Sequence, residues 1–118
     1  MKLQGVWIAL LVALSAQAST TFTLRCTGRP VMQVSLMEGG MITMGWPGQF
    51  YVGHEGGRRH LASGDVVQWF QLQNGDELWR DNTRGRDFLS YAGSGRLTPC
   101  QAGAEQELNV QSLPRVPG

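Results

Sequence analysis

The chain has 118 residues, 42% hydrophobic and 16% charged, with 16 glycines and a formal net charge of +1. That length suits one domain of ordinary size, and so balanced a charge excludes bulk electrostatic capture of nucleic acid or anionic lipid. Two cysteines and two histidines leave little material for a metal centre or a nucleophile–base pair.

Lys2 precedes a nearly unbroken apolar run from Val6 to Leu14, and Ala16-Gln17-Ala18 places small residues where a signal peptidase reads them. This is the secretory leader pattern. The run is too short to span a bilayer comfortably, and polar Ser19-Thr20-Thr21 follows at once. Residues 1–18 are expected to be a cleaved leader, leaving a soluble protein of the periplasm or the exterior. A lipoprotein needs a cysteine at the cleavage point, and the first cysteine is Cys26. Neither a lipid anchor nor stable membrane insertion after cleavage is expected. Without Lys2, nine arginines face nine carboxylates and no lysine remains.

Along the rest of the chain, glycine marks regular breaks. They are Gly28, Gly39-Gly40, Pro47-Gly48, Gly56-Gly57, Ser63-Gly64-Asp65, Asn74-Gly75-Asp76, Arg84-Gly85 and Gly93-Ser94-Gly95. A spacing of about eight to twelve residues is the rhythm of short strands joined by tight turns. Asn74-Gly75 is the strongest hairpin signal, because both residues tolerate positive φ.

Between the breaks the residues alternate. Phe22, Leu24 and Cys26 share one face, followed by Met32, Val34 and Leu36, then Ile42, Met44 and Trp46, then Phe50 and Val52. Val66 to Leu72 alternates less cleanly, with Val67 and Trp69 opposed to Val66 and Phe70. Leu78 or Trp79, then Phe88 and Leu89, complete the set. Period-2 alternation indicates half-buried antiparallel strands. The best helical candidate, Ala104 to Val110, is short; the polar tail 103–118 offers instead a strand over Glu107 to Leu113. About eight strands in a hundred residues make a small barrel or a sandwich, and closing a barrel removes exposed strand edges. In an oxidising compartment Cys26 and Cys100, near the two ends of the domain, are expected to form a disulfide.

Candidate chemistry is sparse. His54 and His60 lie six apart across Gly56-Gly57, not four apart on a helix as a zincin pair requires. They converge only if the segment folds back as a hairpin, and a polar loop is the simpler expectation. No G-x-S-x-G elbow exists, and adjacent Asp76 and Glu77 point to opposite faces of a strand. No enzyme activity, metal or cofactor is expected. Asp81-Asn82-Thr83-Arg84-Gly85-Arg86-Asp87 is a charged turn in which Arg80, Arg84 and Arg86 offer donors to a partner's carboxylates. Trp46, Tyr51, Trp69 and Trp79 are expected in the core; a Trp facing outward would favour an interaction surface.

Taken together, Phe22-x-x-x-Cys26, Ala62-Ser63-Gly64, Trp69, Gly75-Asp76-Glu77 and Cys100-Gln101 resemble the MliC/PliC family of membrane-bound or periplasmic inhibitors of C-type lysozyme. The resemblance covers about residues 22–101. It implies an eight-stranded antiparallel barrel over 19–102 with a disulfide tying its ends. It also implies a Ser-Gly-x-x-Tyr loop that enters the lysozyme cleft, assisted by a second loop ending Lys-Gly. Ser63 and Gly64 match the first motif and Gly75 the second glycine; Val67 stands in place of the Tyr and Asn74 in place of the Lys. A cation for the cleft's carboxylates would then come from Arg58, Arg59 or Arg80. The implied function is a periplasmic lysozyme inhibitor with another protein as partner. The alternative is a divergent envelope binding module on the same barrel, such as an immunity protein against a secreted toxin.

Overall fold

The computed structural model describes residues 17–110, with side chains described within 19–107. Nine strands follow in order: β1 (Gln17–Cys26), β2 (Met32–Met37), β3 (Met41–Trp46), β4 (Gln49–His60), β5 (Val66–Leu72), β6 (Glu77–Asp81), β7 (Arg86–Ser90), β8 (Thr98–Ala102) and β9 (Gln106–Val110). A 3-10 turn at Glu38–Gly40 joins β2 to β3. Each strand from β1 to β8 pairs antiparallel with the next, and β8 returns to β1 through Leu24–Ala102, Arg25–Gln101 and Cys26–Cys100. The sheet is a closed barrel.

β9 lies further along the same edge of β1, with Thr21 opposite Gln106 and Gln17 opposite Val110. β8 and β9 are thus one stave broken at Gly103, whose N–H donates to the Thr23 carbonyl at 2.8 Å. The break carries one residue more than β1 does, as in a β-bulge. The strand expected from Glu107 begins at Gln106 and extends the sheet past residue 102, and Ala104 to Val110 forms no helix. Residues 1–16 of the expected leader and 111–118 of the tail lie outside the described residues.

Alternation delivers the core as expected on the early strands. Phe22, Leu24, Cys26, Met32, Val34, Ile42 and Met44 are buried together with Phe70, Leu72, Leu78 and Leu89. β4 differs by one position. A two-residue hairpin at Pro47-Gly48 sets Trp46 opposite Gln49 and Gly45 opposite Phe50. That register turns Tyr51 and Gly53 inward and leaves Phe50 outside, 66% exposed; hairpin length, not apolar content, fixes the face. Gly53 lies against β5, where an added Cβ would come 2.1 Å from the Gln71 carbonyl oxygen and 2.8 Å from Leu72 Cα.

The expected loop at Glu55-Gly56-Gly57 is also strand. β4 passes through it with a bulge, its register against β5 shifting between Glu55 and Gly57. His54 and His60 therefore stand about 20 Å apart along one strand and do not converge. Among the described residues no three His, Cys, Asp or Glu side chains gather closely enough to hold a metal ion.

Cys26 and Cys100 form the disulfide, with Cα atoms 4.5 Å apart and a sequence separation of 74. It spans β1 and β8, the pairing through which the sheet closes on itself. Closing so long a loop in the unfolded chain stabilises the fold by about 4.5 kcal/mol on the chain-entropy account. Chemical unfolding in urea is expected to show Cys26→Ser/Cys100→Ser losing stability of about that size or slightly less. Gly53→Ala is expected to cost about 1–3 kcal/mol by forcing β4 and β5 apart.

Candidate functional site

In a closed up-and-down barrel, successive turns alternate between the two ends. The turns at 27–31, 47–48, 73–76 and 91–97 lie at one end, and those at 38–40, 61–65 and 82–85 at the other. Asn74-Gly75 and Ser63-Gly64 are therefore at opposite ends, separated by the seven residues of β5, about 23 Å of strand. The two motif positions do not meet.

At the first end Asn74 is occupied locally. Its Oδ1 accepts from the Asp76 N–H at 3.0 Å, and its Nδ2 donates to Asp76 Oδ2 at 2.8 Å. This is the Asx turn that Asn-Gly-Asp favours. Gly75 has φ +97°, and a Cβ there would lie 2.9 Å from that of Ala92. Asp76 is buried, accepting from Arg29 Nη1 and from the Ala92 N–H at 2.9 Å. The Arg29 guanidinium lies 4.2 Å from the Trp46 ring centroid and 4.5 Å from that of Tyr91. An ion pair between two aromatic rings thus closes this end. Burial alone would raise the Asp76 carboxyl; the hydrogen bonds from Arg29, Asn74 and Ala92 outweigh it and hold the group below its ordinary value.

At the second end the 61–65 turn is tightly tied. Leu61 N–H donates to the Asp65 carbonyl and Gly64 N–H to the Leu61 carbonyl, both at 2.8 Å. Ser63 is exposed, and its hydroxyl donates to Asp65 Oδ2 at 2.9 Å. The same oxygen receives Arg86 Nη2 at 3.2 Å and lies 3.5 Å from Arg84 Nε. Arg86 also forks onto buried Asp81 at 2.7 and 3.2 Å. Asp81 caps the next turn by accepting from the Thr83 and Arg84 N–H groups. The Arg86 hydrogen bond is the main reason the Asp81 carboxyl sits below its ordinary value. Asp65 thus gathers one hydroxyl and two exposed guanidinium groups from two turns.

The other expected cations do different work. Arg80 points inward, buried, with Nε 2.6 Å from Asp87, Nη2 2.9 Å from Glu105 and its guanidinium 4.3 Å from the Phe22 ring centroid. Arg59 lies 3.8 Å from the centroid of Trp69. Arg58 is exposed near the Ser63 end, opposite Gln68, whose Oε1 accepts from Asn82. Of the four aromatics expected inside, Trp46 and Tyr51 pack on the core. Trp69 and Trp79, paired across β5 and β6, face out.

Comparison of the chain with protein-family models, with curated proteins and with solved structures finds no match. Fold and site together define a small closed antiparallel β-barrel with a terminal disulfide and a polar cluster at one end. No helix among the described residues is long and apolar enough to cross a membrane.

Asp76 gives the fold a pH signature. Its folded carboxyl titrates below its ordinary value of 3.8, so its contribution is present above that pH and is lost as pH falls through the lower folded value. Unfolding free energy is expected to drop as pH falls below about 4, and Asp76→Ala to flatten part of that slope. At neutral pH the same variant strands Arg29 and is expected to cost about 3 kcal/mol.

Proposed function

We propose that this barrel is an envelope protein that binds another protein through its Ser63 end, and that a C-type lysozyme is the partner it inhibits. One observation carries the proposal: exposed Ser63 shares Asp65 with the exposed guanidiniums of Arg84 and Arg86. A lysozyme cleft presents two carboxyl groups, one protonated and one ionised. A hydroxyl held on a tight turn meets the first, and the guanidinium of Arg84, whose side chain is 61% exposed, meets the second. Arg84 and Arg86 replace the cations first expected from Arg59 and Arg80, while Arg58 adds positive charge nearby. The rigid barrel lowers the ordering cost of binding. Asn74 and Gly75 have no part in this contact, since they hold the opposite end.

A second reading is a binding module of the same architecture with a different target, such as an immunity protein. It is favoured by Val67 and Asn74. Val67 is buried in the barrel wall and Asn74 is committed to its Asx turn, so neither supplies the Tyr and Lys of the resembled family.

The oxidised protein is expected to protect cell-wall substrate from C-type lysozyme. Ser63→Ala is expected to raise the half-inhibitory concentration by up to about tenfold, the size of one hydrogen bond between neutral groups. Gln73→Ala, exposed at the opposite end, is expected to change nothing. Full lysis at micromolar excess of the barrel contradicts the lysozyme reading and leaves the second.

A further inference from the structure

The outer wall of a small barrel faces solvent, and large aromatics there need a reason. Trp69, Trp79 and Phe88 stand side by side on that wall, Trp69 opposite Trp79 and Trp79 opposite Phe88. Trp69 is largely covered, although its Nε1 is buried with no hydrogen-bond partner among the described residues. Arg59 covers its face, and its six-membered ring rests on Gly56, where a Cβ would come within 2.3 Å of Cζ3.

Trp79 is less covered, with the Arg59 guanidinium 5.7 Å from its ring centroid. It lines a groove of about 290 Å³ between β6, the end of β7 and the 91–97 turn. Glu77, Ser90, Tyr91 and Arg96 line the same groove. One oxygen of Glu77 accepts from Trp79 Nε1 at 3.0 Å, which fixes carboxylate and indole relative to each other. Among the described residues the Arg96 guanidinium pairs with no carboxylate. Gly75, Gly93 and Gly95 form part of the wall and leave it open to a ligand's approach.

We propose that this groove binds one ring of a neutral saccharide. A pyranose has an apolar face of C–H groups and a rim of hydroxyls that both donate and accept. Trp79 offers a flat apolar surface for the first. Glu77 accepts, Arg96 donates and Ser90 does both for the second. Other ligand classes fit less well. An apolar molecule leaves Glu77, Ser90 and Arg96 desolvated and unpaired. An anion meets Glu77, and a cation meets Arg96. The volume is at the low end for ligand pockets, which suits a single ring. The site lies apart from Ser63 and is independent of the lysozyme reading.

Calorimetric titration of the oxidised protein with neutral tetrasaccharides tests this, using β-1,4-linked N-acetylglucosamine, β-1,4-linked glucose and α-1,4-linked glucose as probes. Saturable binding of at least one is expected. Trp79→Ala and Arg96→Ala are each expected to weaken it by about tenfold, and Ser63→Ala to leave it unchanged. Arg96 is exposed on a turn, so its variant reports on binding even if Trp79→Ala fails to fold. No binding of any probe at millimolar concentration, or binding that Arg96→Ala leaves intact, overturns the proposal.

Discussion

The structure depends on the pairing of β1 along both of its edges. Phe22 stands opposite Val34 on one side, while Cys26 stands opposite Cys100 on the other. An open eight-strand meander would expose two edges to other chains. Here the last stave returns to the first, and the disulfide fixes that return covalently. Closure also fixes where every turn lies. Because all neighbours are antiparallel and sequential, the turns alternate strictly between the two ends. Any site built on turns must therefore draw on alternate ones.

Each end is closed by an arginine inside the barrel rather than by apolar packing alone. Arg29 with Asp76 sits between Trp46 and Tyr91 at one end. Arg80 with Asp87 and Glu105 sits over Phe22 near the other. Buried charges are tolerated only when paired and hydrogen-bonded, and removing one partner leaves the other strongly penalised. These pairs bind particular turns to particular strands: Asp76 holds the Ala92 N–H, and Glu105 reaches Arg80 from the break between β8 and β9. Arg84 and Arg86 lie nearer the surface: Arg86 is held by Asp81 and Asp65, while the Arg84 side chain is 61% exposed.

Much of the architecture was legible in the sequence, because glycine spacing and period-2 alternation are direct consequences of strand geometry. The faces of Phe22, Leu24, Met32, Val34, Ile42 and Met44 follow from alternation alone. Phe50 escaped that logic because a two-residue hairpin shifts phase independently of which residues are apolar. Gly56-Gly57 reads as a break in sequence, yet it forms a bulge within β4, and the Trp69 ring fills the space above Gly56. The candidate site was legible only in part. Ser63 and the arginine-rich turn stood out as separate features, but their convergence on Asp65 is a property of the closed barrel. Arg29 and Asp76 carried one faint signal, the Asn-Gly-Asp turn; their pairing spans 47 residues of sequence and no local pattern reports it.

The Ser63 and Asn74 turns lie at opposite ends of a rigid barrel, and the separation of the two sites depends on it. Electron–electron double resonance between spin labels at exposed Ala62 and Gln73 measures this directly, with labels carried on noncanonical residues so that the disulfide stays intact. Turns at opposite ends give one narrow distribution centred beyond about 23 Å, the length of β5. A population below about 15 Å, shorter than that strand, would bring the two turns to a common surface and contradict that separation.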